Sequence, residues 1–193
     1  MRSDAVRGDD GVLRCPWALS TPEYVAYHDL EWGRPVQGDQ AVFERIVLES
    51  FQSGLAWITI LRKRPTFRAA FDGFSIPAVA AYDDADRARL LADPGIVRNR
   101  ANIDATIGNA RAALALLDQE GEGALERLVA SFAPVPRPRP RRLADVPAST
   151  PESVALSREL KRRGFGFVGP TTMYALMQAL GLVDDHLRDC AVR

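Results

Sequence analysis

The sequence predicts an all-α domain, and three observations carry that expectation. Apolar residues recur at helical spacing along most of the chain, and helix caps and breakers bound the recurring stretches. No βαβ alternation and no repeat at a fixed period interrupts them. About eight to ten short helices are expected, in a non-bundle arrangement.

Taken in order, residues 1–12 are polar and charged and are expected to be a disordered leader, followed by a single domain over 13–193. Asp39 is the expected N-cap of a helix to Ser53, with Val42, Phe43, Ile46, Val47 and Phe51 at helical spacing and Gly54 ending it. Ala56–Arg64 reads as a second helix stopped by Pro65, and Thr66–Phe71 as a further turn. Ser75 caps Ile76–Tyr82, and Asp86–Ala92 ends at the turn dipeptide Pro94-Gly95. Asn99–Gln119 is the clearest amphipathic stretch, through Ile103, Ile107, Ala110, Leu114 and Leu117. After Leu125–Phe132, residues 133–149 lack periodicity and are rich in Pro and Arg, which predicts an exposed connector. Thr150-Pro151 starts a helix that ends at Gly164, and Thr171–Leu180 is the last, with Gly181 beyond it.

The composition is that of an ordinary globular chain, 47% hydrophobic and 26% charged, with a formal net charge of zero. No apolar run approaches the roughly 20 residues of a membrane span, and no apolar stretch near Met1 marks a secretory signal. A cytoplasmic chain without a disulfide is expected. Neutral total charge argues weakly against nucleic acid. The distribution argues for it, because cations cluster at 62–64, at Arg98 and Arg100, at 137–142 and at 161–163. Either a basic face or a set of solvated helix ends accounts for these clusters.

The chain holds two cysteines and two histidines, paired at opposite ends as Cys15 with His28 and His186 with Cys190. Two thiolates and two imidazoles complete a tetrahedral zinc site, and the four-residue spacing of His186 and Cys190 would place both on one helix face. The alternative is a pair of small buried thiols and two hydrogen-bonded imidazoles. Lys161–Thr172, KRRGFGFVGPTT, reads as two helices joined by a hairpin. Gly164, Gly166 and Gly169 allow positive φ and close approach, so backbone N–H groups could face a phosphate, with Lys161 and its neighbours adding charge. That is the layout of a helix-hairpin-helix element, although glycine also simply ends helices. Glu49 lies in an apolar run and reads either as a pocket acceptor at the core edge or as an exposed glutamate on the helix flank. Trp17, Tyr24, Tyr27, Trp32 and Trp57 are core aromatics or the walls of a pocket that stacks a planar base.

The strings RCPWA at 14–18, YVAYHDLEWG at 24–33, VFERIVLESFQSGLAWITILRKR at 42–64, GIVRNRANIDATIGNARA at 95–112 and LKRRGFGFVGPTTMYALMQALGLVDDH at 160–186 together resemble the 3-methyladenine DNA glycosylase I family. The resemblance runs in order over about residues 13–190. It implies a helix-hairpin-helix DNA glycosylase-like fold whose termini are joined by a structural zinc site on Cys15, His28, His186 and Cys190. Glu49 then matches the carboxylate that hydrogen-bonds the methylated base, Trp17 and Trp57 match pocket aromatics, and Tyr24 and Tyr27 match tyrosines lining it. Gly54 and Leu55 match the loop that wedges into the DNA stack, where Phe51 and Ser53 depart from the family's residues. Three residues follow Cys190, so little chain is expected to pack over the metal.

The activity implied is hydrolysis of the N-glycosidic bond of 3-methyladenine in double-stranded DNA by a monomer, leaving an abasic site. N3-methylation makes the base cationic and a good leaving group, so Glu49 is expected to act mainly by binding and selecting it. Asp184 and Asp185 follow the hairpin and precede His186, which favours a cap or a supporting role for that ligand. Two other classes remain open: a zinc-stabilised helix-hairpin-helix module that binds DNA without catalysis, and a zinc hydrolase, against which four protein ligands argue.

Overall fold

The computed structural model describes residues 3–192. The segment expected to be a disordered leader is folded from Val6 onward: β1 (Val6–Arg7) pairs antiparallel with β2 (Leu13–Arg14), Val6 opposite Arg14. Two residues per strand leave no alternation to read in the sequence. The hairpin is held instead by side chains, as Arg14 bonds Asp10 within the turn and Asp29 across from it. Its outer edge takes the other end of the chain, Ala191 N–H donating to Leu13 O at 2.8 Å.

A 3₁₀ turn (Pro16–Ser20) leads to α1 (Pro22–Leu30), with Thr21 accepting from Tyr24 N–H and Pro22 at the first helical position. The sequence reading missed α1 because its inward face carries Tyr24, Tyr27 and His28 rather than aliphatic residues, so the apolar period is weak. The central helix is α2 (Asp39–Phe51), capped by Gly38. Asp39 therefore does not cap α2. Its buried carboxylate caps another helix, accepting from the N–H groups of Gly123, Leu125 and Glu126 at the start of α7 (Ala124–Ala130).

Pro65 does not split the next helix, and α3 runs unbroken over Trp57–Ala70. A proline inside a helix costs about 3 kcal/mol. Here it is exposed, while Phe67 and Ala70 beyond it are buried in the core and hold the last turn in place. Then follow α4 (Ile76–Ala80), α5 (Asp84–Ala92) with an Asp83 capping box, and α6 (Arg100–Glu120) with Asn99 as its N-cap. The last two helices are α8 (Pro151–Arg162), capped by Thr150, and α9 (Pro170–Ala179). Helix α2 packs on α6, α7 and α9, α4 on α6, and α8 on α9. Phe43, Phe51, Phe67, Phe71 and Phe74 form the aromatic centre of the core, and a separate small cluster surrounds Cys15, Leu187 and Cys190. Among the described residues no helix is long and apolar enough to cross a membrane.

Residues 133–149 stay largely exposed but are not a free connector. Arg137 donates to Asp185 and Arg139 to Asp184, while Pro140 O accepts from Arg188 N–H and Arg141 O from Asp4 N–H. This segment is a strap drawn across both chain ends.

Candidate base pocket and metal centre

Cys15 follows β2, His28 lies in the last turn of α1, and His186 and Cys190 lie in the irregular segment after α9. That last pair is not on a helix. A turn closed by Cys190 N–H to Leu187 O presents both, and Leu187 N–H donates to Cys15 Sγ at 3.3 Å. All four side chains are buried, and their ligand atoms lie within 4.8 Å of one another, a group that could hold a metal ion. His186 Nδ1 is 3.2 Å from His28 Nε2, and Cys190 Sγ is 3.6 Å from His28 Nε2 and 3.7 Å from His186 Nδ1.

The surroundings orient these side chains. His28 Nδ1 bonds Asp29 Oδ1 at 2.7 Å, which turns Nε2 toward the cluster. Asp29 is itself gripped by Arg14, and that hydrogen bond holds its carboxyl below the usual range, with His28 assisting. Cys190 is drawn well below the usual thiol range by hydrogen bonding with Cys15 first, against the opposing effect of burial, and then with His186 and His28. Trp17 and Trp32 pack ring edges against His28 and His186 and keep water away.

Two glycines allow this convergence. Gly181 sits at φ +70°, and a Cβ there would lie 2.5 Å from Gly33 O. A Cβ on Gly33 would in turn lie 3.1 Å from His186 Nε2, so the loop after α1 and the segment after α9 meet backbone to backbone.

Beside the cluster opens a cavity of about 660 Å³, with Trp17, Tyr24, Tyr27, Trp32 and Trp57 on its walls and Glu49 among them. The two sites share Trp17 and Trp32. Tyr24 Oη accepts from Ile58 N–H at 2.9 Å, which fixes the start of α3 and with it Trp57, whose ring lies 5.6 Å from that of Tyr27. Glu49 is buried, at 5% exposure, and among the described residues its carboxyl has no hydrogen-bond or ion-pair partner. Burial pushes its pKa up to about 8, and the Arg45 charge one turn away only partly opposes this. Arg45 gives Nη2 to Glu31, while its Nη1 is buried without a partner. Tyr27 is pushed up as well, by burial and then by Glu49, and remains a neutral phenol. Trp57 Nε1 is a buried donor without an acceptor. Leaving such a group unpaired costs about 1–3 kcal/mol, so the pocket holds an unmet acceptor and an unmet donor between aromatic walls.

The lining also includes Gln52, Leu143, Val146, Gln178 and Asp185, none of which was picked out as a pocket residue from the sequence. Asp185 does not support His186 as expected. It turns into the pocket wall, where Tyr174, Gln178 and Arg137 all donate to it, and Asp184 is the residue that accepts from His186 N–H. Only the neighbouring Asp-Asp-His run signalled this, and a run cannot say which way each carboxylate turns.

Gly54 and Leu55 lie on an exposed turn between α2 and α3, with Leu55 41% exposed. In the α8–α9 turn Gly164 has the expected positive φ, but Gly166 and Gly169 do not, and Phe167 takes a left-handed conformation at φ +55° instead. The N–H of Gly166 is spent on Asn109 Oδ1 at 2.7 Å, so it is not a free donor. Of the three cations before the turn, Arg162 and Arg163 are bonded to Glu159, while Lys161 is exposed and has no such partner among the described residues.

Fold and site thus combine, in an α-helical frame, an aromatic-walled pocket holding a buried carboxyl with a buried cysteine–histidine cluster. The chain belongs to the methyladenine glycosylase family, whose sequence profile matches residues 17–193. It is 46% identical over 178 residues to DNA-3-methyladenine glycosylase 1 of Escherichia coli (strain K12), covering 92% of this chain and 95% of that one. A crystal structure of 3-methyladenine DNA glycosylase I superposes with a TM-score of 0.87 at 47% identity, covering 92% of this chain and 98% of the other. A variant 3-methyladenine DNA glycosylase I in complex with 3-methyladenine does so with a TM-score of 0.85 at 31% identity, over 92% and 96% of the two chains.

Proposed function

We propose that this chain is a DNA glycosylase that hydrolyses the N-glycosidic bond of 3-methyladenine in alkylated double-stranded DNA and leaves an abasic site. The observation that carries this reading is the unpartnered, buried carboxyl of Glu49 inside an aromatic-walled cavity, and the names of the relatives supply the substrate.

The glycosidic bond is out of reach in stacked DNA, so the nucleotide must rotate out, at a cost of about a few kcal/mol that damage to the base lowers. Leu55, exposed on its turn after Gly54, would fill the gap in the stack. Lys161 and the turn holding Gly164, Gly166 and Gly169, read as a helix-hairpin-helix element, would hold the backbone without reading sequence. In the pocket, Trp17, Tyr24, Tyr27 and Trp57 give the base flat apolar faces. Glu49 accepts from the base and Trp57 Nε1 can donate to it, so both unmet groups find partners. An N3-methylated base in DNA carries positive charge, which drives Glu49 to its carboxylate form and favours the lesion over neutral adenine. The cation is also a good leaving group, so cleavage needs little acid catalysis.

The ligand set of the metal centre suits Zn²⁺. Metal–nitrogen bonds of about 2.0–2.1 Å and metal–sulfur bonds of about 2.3 Å put tetrahedral ligand atoms about 3.3–3.7 Å apart. The 3.2, 3.6 and 3.7 Å separations among His28, His186 and Cys190 lie close to that range, and the ligand atoms of all four residues fall within 4.8 Å of one another. With four protein ligands the ion would be structural, tying Cys15 and His28 to His186 and Cys190, while the pocket residues do the binding.

The test is release of 3-methyladenine from methylated duplex DNA by the native chain and by Glu49→Ala. Free base from the native chain and a large loss in the variant are expected. No release by the native chain would leave a DNA-binding module without catalysis.

A further inference from the structure

We propose that Arg98 and Arg100 form a phosphate clamp that holds the DNA backbone beside the exposed Ser53–Ala56 turn. The clamp rests on the glycosylase reading above and adds a DNA contact away from both the pocket and the α8–α9 turn.

The first observation is electrostatic. The formal charge of the chain is zero, and many of its surface guanidinium groups are ion-paired in place. Arg62 bonds Glu23, Arg68 bonds Glu44, and Arg162 and Arg163 share Glu159. Arg98 and Arg100 are exposed, and among the described residues neither has a hydrogen bond or an ion pair. A carboxylate does stand one helical turn beyond Arg100, but Asp104 is taken by Arg87 at 3.0 Å. The local charge of this pair is therefore uncompensated. A guanidinium offers a planar fork of N–H donors that matches phosphate oxygens two at a time.

The second observation is positional. One line along α6 fastens it to both elements proposed to meet DNA. Asn102 Nδ2 donates to Ser50 O at the end of α2, just before the exposed turn. Farther along, Ala105 packs against Gly166, and Asn109 both donates to and accepts from the Gly166 backbone. Ser50 Oγ closes the triangle, lying 3.2 Å from Phe167 O while it bonds Ile46 O at 2.7 Å. Arg98 lies in the non-helical segment four residues before Asn102, and Arg100 opens α6 two residues before it, so both sit at the end of α6 that Asn102 ties to Ser50. Asn99 lies between the two arginines and caps α6 by accepting from Asn102 N–H, so both stems leave a fixed point of backbone. A strand running past Leu55 with its backbone on the hairpin would carry its next phosphates to this pair.

The experiment measures affinity of the full chain for a duplex containing a stable abasic-site analogue, as a function of KCl, beside titration with free 3-methyladenine. Neutralising one phosphate contact reduces the slope of log affinity against log salt by about 0.9, so R98A/R100A is expected to flatten it by about two and to weaken binding at least tenfold at low salt. Free-base affinity should be unchanged, and R98K/R100K, which keeps the charge, should restore most of the slope. A double alanine variant with the native slope and affinity would overturn the clamp, as would a lysine variant no better than alanine. Failure of the native chain to bind the duplex at all would remove the DNA reading and the clamp with it.

Discussion

Arg137 reaches from the exposed strap to the buried carboxylate of Asp185 at 2.8 Å, one residue before His186 of the cysteine–histidine cluster. The same guanidinium nitrogen donates to Tyr174 Oη, and Tyr174 donates to the other oxygen of Asp185. Through this contact the strap, which places Leu143 and Val146 on the pocket, is pinned to the segment that carries half of the cysteine–histidine cluster. Wall and clasp are therefore one mechanical unit.

Removing the pin should loosen both. Arg137→Ala leaves Asp185 buried with Tyr174 and Gln178 as its remaining donors, and losing a partner of a buried charge costs about 1–3 kcal/mol. Urea unfolding should show that loss, and excision kinetics should show a raised KM with a smaller change in kcat. Native stability and native KM together would show that the strap is only a connector.

Glu49 should make the folded chain lose stability as the pH rises. Its folded pKa of about 8 stands above the ordinary value of 4.5, so between those two the folded state holds a proton that the unfolded chain has released. The contribution is complete below about pH 4.5 and is lost as the pH rises through the folded value, at up to ~1.4 kcal/mol per pH unit. Glu49→Gln cannot titrate. Stability measured from pH 5 to pH 9 should fall more steeply for the native chain than for the variant, and parallel curves would show that Glu49 is not held neutral.

Glu49→Gln should also weaken 3-methyladenine binding, because an amide oxygen is a weaker acceptor than the carboxylate that the bound base's N–H donors favour. Titration at pH 7 should give a loss of about tenfold, equivalent to ~1.4 kcal/mol. Unchanged affinity would move base selection to the aromatic walls alone.

The core helices and most caps were legible in the sequence because they follow local rules. Asn99, Thr150 with Pro151, and the spacing of Ile103 and Ile107 mark α6 and α8 within a residue or two. Helix α1 was not legible, since Tyr24, Tyr27 and His28 face a pocket and a cluster and so hide the apolar period. Nor was the function of Asp39, whose partners at 123–126 are brought near only by the tertiary fold. In the site, the rarity of cysteine and histidine exposed the four members of the cluster. The supporting Asp29, the strap arginines and the inward turn of Asp185 depend on side-chain direction, which no spacing encodes.

Metal analysis of the purified chain should find one zinc per molecule, lost in His28→Ala and Cys190→Ser. Asp29→Asn is the more discriminating variant, because Asp29 fixes the ring of His28 without being a ligand. Loss of such a partner typically lowers metal affinity about 10–100-fold. Competition with a chelator should reveal that decrease, together with a lower Tm that added zinc restores. An Asp29→Asn chain with native zinc affinity would show that His28 is oriented by Trp17 and Trp32 alone.

Gly181→Ala tests the close approach that lets the two chain ends meet. The new methyl would lie 2.5 Å from Gly33 O, a backbone atom that cannot swing aside as a side chain would. The φ of +70° adds about 1–2 kcal/mol for any residue with a Cβ, and overpacking of this kind costs about 1–3 kcal/mol. A total loss of about 2–5 kcal/mol is expected in urea unfolding. Gly54→Ala is the matched control, because it shares the positive φ at +79° but meets nothing within 4 Å, so it should lose only the conformational part. Equal losses in the two variants would show that backbone conformation, and not the Gly181–Gly33 contact, sets the cost.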